Sequence, residues 1–172
     1  TGESLRAFKE REYRPDRIVV SVCGSFADRD LERLAERFSR LPVSRPAGEK
    51  KAAYRPSTAI RRKNTEQNHF CLSWPGLPDG DEDRFAWQVM CTVLGGGMSS
   101  RLFQTVRERH GLCYAIGSFT SSYRDTGMLG VSTAVSRETE EKALSLIRRE
   151  VERLRADGIT AEELTRAREQ MK

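Results

Sequence analysis

Apolar positions along this chain change their spacing several times, and each change predicts an element. Residues 4–13 have the spacing of a short helix, and "YRPDR" (13–17) that of a turn. "RIVVSVCGSF" (17–26) is β-branched and almost continuously apolar, which predicts a strand stopped by Gly24. In "ADRDLERLAERFSRLP" (27–42), Leu31, Leu34, Ala35, Phe38 and Leu41 form the stripe of a helix capped by Asp28 and ended by Pro42. The period vanishes in "PVSRPAGEKKAAYRPS" (42–57), whose prolines, glycine and charges read as a linker. Two strands follow, a polar "TAIRRKN" (58–64) and a more apolar "NHFCLSWPGL" (68–77). "DGDEDRFAWQVMCTVLGGG" (79–97) predicts a helix with acids at its N-terminal end. Its apolar face is Phe85, Ala86, Val89, Met90, Val93 and Leu94.

After the glycines a second helix is expected from Ser99 or Ser100, with Leu102, Phe103 and Val106 inward and an end before Gly111. "LCYAIGSFTSSYRDTGMLGVSTAV" (112–135) reads as two strands about a turn at Asp125, Thr126 and Gly127. Ser136 starts a long helix through Ala143, Leu144, Ile147, Val151 and Leu154, which Gly158 ends. "TAEE" (160–163) is a capping box for a last helix. The alternation of these elements predicts an α+β fold, a mostly antiparallel sheet with helices packed on one face.

Composition narrows the function only a little. Charged residues make up 32% of the 172 and hydrophobic residues 37%, so a core and a well-solvated surface are both affordable. The net charge of +5 raises a nucleic-acid partner as one reading. Most cations, however, alternate with Glu on helix faces, and "RRK" (61–63) is the one basic run, with no aromatic interleaving; no nucleic acid is expected. No run approaches the ~18 apolar residues of a membrane span. Cys23, Cys71, Cys91 and Cys113 lack metal or redox spacing and stand in apolar surroundings. They are expected to be buried free thiols, which points to a reducing, cytoplasmic compartment; a periplasmic one would need a signal upstream of Thr1.

The candidate chemistry lies in "TVLGGGMSSRLFQTVRERHGLCYA" (92–115). The glycines do not make a phosphate loop. A helix precedes them where a strand is required, no Lys follows, and the G-x-G-x-x-G spacing fails. Gly95, Gly96 and Gly97 read instead as a corner between helices, with positive φ ending the first. Arg107 and Arg109 fall on opposite flanks of the buried stripe, so helical periodicity does not choose between them.

With these residues in place, "LGGGMSSRLFQTVRERHGLCYAIGSF" resembles the corresponding run of the pitrilysin/insulinase-like zinc peptidases, in the branch of mitochondrial processing peptidase and its bacterial relatives. "FKEREYRPDRIVVSVCGSFADRDLERLAERFSRLP" resembles the strand and helix that close the first half of such proteins. "NTEQNHFCLSWPGLPDGDEDRFAWQVMCTVLGGG" resembles the start of the second half, and "DTGMLGVST" and "GITAEELTRAREQMK" fit its remainder. The resemblance implies three segments: residues 1–45 closing the zinc-binding half, a linker at 46–57, and a second half at 58–172 that is truncated at its C-terminus. It also implies zinc held by an H-x-x-E-H motif outside this segment. His69 and His110 stand in no such motif, so no metal ligand and no general base is assigned here, and the segment alone is expected to be inactive.

What transfers is the family's R-x6-Y pair, which falls on Arg107 and Tyr114. By resemblance these hold the substrate backbone near the scissile bond, and Gly95, Gly96 and Gly97 let that backbone pass closely. The implied partners are a peptide substrate and the missing N-terminal half or a homologous subunit. The implied function is the substrate-binding part of a zinc endopeptidase; the alternative is a non-catalytic paralogue that binds peptide for an active partner. The strand at 17–26 is further expected to fill a vacated sheet position beside residues 58–135.

Overall fold

A computed structural model describes residues 1–41 and 51–172, in two compact units, residues 1–50 and 51–172. The expected linker at 42–57 falls partly outside the described residues. Its described part, 51–57, is exposed and without regular structure.

In the first unit helix α1 (Gly2–Glu12) starts at Thr1, whose hydroxyl accepts from Ser4 N at 3.3 Å. A short 3₁₀ turn, Pro15–Arg17, occupies the predicted turn. Arg14 is buried there and donates to both carboxylate oxygens of Asp16 at 3.0 and 2.6 Å. Helix α2 (Asp28–Ser39) begins as expected, but Asp28 is not its cap. The Asp30 carboxylate accepts from Ala27 N at 3.1 Å, which is half of a capping box. Residues 18–26 form no strand, and no ladder among the described residues includes them, against the expectation that they pair beside 58–135. An apolar β-branched run needs a neighbouring strand for its N–H and C=O groups, and no described strand serves it. Val19 is 91% exposed as a result. No apolar residue of this unit's described part is buried.

The second unit is an antiparallel sheet under a layer of helices. Strands β1 (Asn68–Gly76), β2 (Cys113–Ser122) and β3 (Gly127–Val135) lie in the order β1-β3-β2. Phe70, Leu72 and Trp74 of β1 and Leu129, Val131 and Val135 of β3 face the helices, and His69, Cys71, Ser73 and Ser132 face away. The alternation in β1 is the two-residue period of a half-buried strand. "TAIRRKN" forms no strand: its residues are exposed and unpaired, and three consecutive cations give an edge little to bury.

Helix α3 (Arg84–Gly95) starts five residues later than the acids predict, because Asp79 to Asp83 sit in turns ahead of it. Its buried side is Cys91, Val93, Leu94 and Gly95, whereas Phe85 is 61% exposed and Ala86 is also exposed. The next helix is a π-helix, Phe103–Arg109, with Leu102 and Val106 fully buried. Ser100 does not cap it; its hydroxyl donates to Gly97 O at 2.5 Å. Ser136 begins a 3₁₀ turn, Arg137–Thr139, and helix α4 (Glu140–Asp157) follows. The stop at Gly158 (φ 71°) and the box in which Thr160 Oγ1 accepts from Glu163 N at 3.2 Å are as the sequence predicts. Helix α5 (Ala161–Gln170) follows from that box.

The cysteines divide. Cys91 is buried and Cys113 half-buried, but Cys71 and Cys23 are exposed: the first faces away from the helices, and the second lies in the unpaired run.

Candidate functional site

The site is built where the π-helix turns into β2. A π-helix closes hydrogen bonds five residues on and occurs mostly in single-turn pieces at functional sites. Here it ends with Gly111 N donating to Arg107 O at 2.9 Å and Leu112 N to Val106 O at 3.1 Å, across Gly111 at φ 61°. That tight exit brings Tyr114 back beside Arg107.

β2 is itself irregular at this point. Cys113 pairs with Val135 and Ile116 with Thr133, so three steps on β2 meet two on β3. The extra residue is a bulge that leaves Tyr114 and Ala115 both exposed. Thr133 Oγ1 donates to Ala115 O at 2.8 Å, satisfying a carbonyl freed by the bulge. Tyr114 is 82% exposed.

The structure brings the two predicted side chains together. The Arg107 guanidinium carbon lies 5.2 Å from the Tyr114 ring centroid and 4.5 Å from that of Phe103. Its one ion pair among the described residues is with Glu108 at 3.9 Å, too long for a hydrogen bond. Among the described residues, no carboxylate therefore takes a hydrogen bond from the fork, and the side chain is half-buried. Arg109, on the other flank, is exposed.

The glycines are explained differently from the sequence reading. None of Gly95, Gly96 and Gly97 has positive φ; Gly96 sits at −81°. What they supply is space. A Cβ on Gly95 would lie 2.4 Å from Ser118 N, one on Gly96 2.6 Å from Thr92 Cα, and one on Gly97 3.0 Å from the Gln170 amide. The corner is thus packed against β2 and α5 of its own chain, and Gln170 Nε2 donates to Gly96 O at 2.7 Å.

Two polar clamps that the sequence reading missed hold the π-helix. Arg101 gives a two-pronged pair to Glu163 at 2.7 and 2.8 Å and donates to Gly158 O at 2.8 Å. The guanidinium of Arg101 holds the Glu163 carboxyl down at about 2. Thr105 Oγ1 donates to the buried Glu150 carboxylate at 3.2 Å, and Arg153 approaches the same carboxylate at 3.3 Å. The signal for Glu150 was present: it stands in the apolar stripe of Ala143, Ile147 and Leu154.

The residues present do not fit zinc. His69 lies on the exposed side of β1, and His110 Nδ1 is 2.7 Å from Thr105 O. Among the described residues no group of three or more His, Cys, Asp or Glu side chains comes together as a metal site. Nor is any helix among them long and apolar enough to cross a membrane.

A family model described as the peptidase M16 inactive domain matches residues 1–171. The chain belongs to the M16 peptidase family. It is 39% identical over 172 residues to an uncharacterized zinc protease, YmxG, of Bacillus subtilis (strain 168), covering 99% of this chain and 42% of the relative. It is 34% identical over 177 residues to an uncharacterized zinc protease of Streptomyces coelicolor, covering 97% of this chain and 39% of the relative. The chain therefore spans about two fifths of the length of the curated relatives it matches. A solved peptidase M16 inactive domain from Pseudomonas fluorescens shares the fold, with a TM-score of 0.68, 24% identity, and coverage of 85% of this chain and 36% of that one. A protease from Helicobacter pylori does so at 0.69 and 17% identity, covering 99% and 43%. As an M16 inactive domain this segment has an α+β fold, and the curated relatives it matches carry the name zinc protease.

Proposed function

We propose that this M16 domain is the substrate-binding C-terminal part of a zinc-dependent endopeptidase that acts on peptides or unfolded segments. Arg107 and Tyr114 hold the substrate backbone. The observation that carries this is the convergence of an exposed phenol and a guanidinium whose N–H groups are not spent within the described chain. A guanidinium fork and a phenolic hydroxyl both donate to a carbonyl oxygen, and such donors act most strongly on an oxygen gaining charge.

Zinc belongs to the full-length protein and is held outside these residues. Residues 1–45 close the zinc-binding half. In support, the unit they belong to carries exposed Val19, Val20, Val22, Leu31 and Phe38 and no apolar core among its described residues. The N-terminal half or a homologous subunit is then the partner that covers them.

The test is peptide turnover by the zinc-loaded full-length protein. Arg107→Ala and Tyr114→Phe are each expected to lower kcat/KM about tenfold or more, the scale of losing one oxyanion-type donor or substrate clamp. Unchanged turnover in both variants removes the assignment.

A further inference from the structure

We propose that Phe103 is a positioning residue for Arg107: its ring, together with that of Tyr114, fixes the plane of the guanidinium while leaving the N–H edge free for an extended peptide. This rests on the reading above, in which Arg107 grips substrate.

Three observations carry it. The guanidinium carbon lies over two rings that come from two different elements, Phe103 from the π-helix at 4.5 Å and Tyr114 from β2 at 5.2 Å. The other guanidinium–ring contacts among the described residues, Arg84 over Phe85 and Arg11 over Phe8, each involve one ring from a near neighbour in sequence. They have the character of ordinary surface contacts. Second, the Phe103 ring is half-buried and packs against the core that includes Leu102 and Val106, so it is fixed independently of Arg107. Third, no carboxylate among the described residues holds Arg107 within hydrogen-bond range, because Glu108 stays at 3.9 Å.

A free arginine would lose rotamer freedom on gripping a peptide, and that loss weakens binding. Rings can remove much of it in advance. Guanidinium planes stack on aromatic faces through charge and shape, and stacking leaves the in-plane donors unoccupied. A carboxylate partner would fix the side chain equally well but would consume those donors. The arrangement found here is the one that orders the arginine and keeps it available. The bulge at Tyr114 completes it, since a regular strand would place one residue rather than two opposite Ala134 and direct the tyrosine differently.

The experiment uses the full-length protein stripped of metal, so that binding is read without turnover. The probe is a fluorescein-labelled unfolded casein fragment, followed by fluorescence anisotropy. Phe103→Leu keeps an apolar side chain on the core and removes the ring; it is expected to weaken binding about three- to tenfold, the range open to one stacking contact and one ordered side chain. Phe103→Tyr restores the ring and is expected to bind within about twofold of the parent. In protein carrying nitrogen-15-labelled arginine, the Arg107 Nε–Hε signal should lose the Phe103 share of its ring-current shift in the Leu variant, leaving that of Tyr114, and keep both in the Tyr variant.

Phe103→Leu binding as tightly as the parent, with Arg107→Ala clearly weakened, overturns the proposal and leaves Arg107 as a substrate contact. Arg107→Ala binding like the parent overturns the reading beneath it. Should Phe103→Leu not fold, Phe103→Met is the second ringless variant. Equal binding by the Met and Tyr variants then overturns the proposal, because bulk rather than a ring is what Arg107 needs.

Discussion

A single methyl group decides how α3 meets the sheet. At Gly95 it would lie 2.4 Å from Ser118 N and 2.8 Å from Ser118 Oγ, and the first of these is backbone that does not move aside cheaply. Gly95→Ala is therefore expected to cost about 1–3 kcal/mol or more through overpacking, read as a lower midpoint in urea. Gly80→Ala is the control: its Cβ would meet nothing within 4 Å, and it should stay within about 0.5 kcal/mol. A related contrast concerns the thiols. Burial pushes the Cys91 thiol up, against a smaller opposing effect of its bond to Ser118 Oγ, while Cys71 and Cys23 are open to solvent. Timed maleimide labelling of this chain followed by peptide mapping should modify Cys71 and Cys23 first and Cys91 last, since the thiolate is the reactive form. Early labelling of Cys91 would mean that α3 does not sit on β2 as described.

Among the elements, the π-helix depends on partners outside itself. Arg101 and Thr105 lie on its entry and first turn, and they are tied to Glu163 of α5 and Glu150 of α4. Glu163 titrates near 2 in the folded protein against an ordinary 4.5, first because of Arg101 and with help from Thr160 N. A depressed carboxylate stabilises above its unfolded value, and that stability is lost as the pH falls from about 4.5 toward 2. Thermal midpoints followed down this window should drop steeply in the parent and less so in Glu163→Gln, which has already lost on the order of 2 kcal/mol at neutral pH. Equal slopes would show that the pair contributes nothing to folding. These ties also explain what the sequence made legible. The Thr160–Glu163 box, the stop at Gly158 and the alternation in β1 depend on residues within a few positions of each other, and they could be read directly. The π register could not, because a longer hydrogen-bond ring is chosen by contacts with α4 and α5. The bulge was hidden for the same reason, as it exists only relative to β3. Arg107 could not be told from Arg109 by a period of 3.6; the aromatic Phe103 four residues earlier was the available clue, since i and i+4 side chains meet on a helix.

At the scale of the whole molecule, residues 18–26 carry the clearest conflict between local preference and observed state. Ile18, Val19, Val20 and Val22 are β-formers, yet they lie outside every ladder of the described residues, and Val19 is 91% exposed. A β-branched run in that condition is held back by want of a partner, not by its own propensity. α2 has the same character. It is strongly amphipathic in sequence, but Leu31 and Phe38 remain 38% exposed. On the proposal that residues 1–45 close a zinc-binding half, both features have one cause: the sheet and core they match lie in that half. The curated relatives are long enough to contain it, since the match occupies 42% of one and 39% of another. Amide hydrogen exchange separates the alternatives. In this chain alone the amides of residues 18–26 should exchange at nearly the rate of an unstructured peptide, while those of β3, paired on both sides, exchange slowly. In the full-length protein the first group should slow by at least about a hundredfold, equivalent to a local opening cost near 3 kcal/mol. Exchange at the same fast rate in both would mean that the segment finds no ladder in the longer protein, and the assignment of residues 1–45 to the zinc-binding half would fall with it.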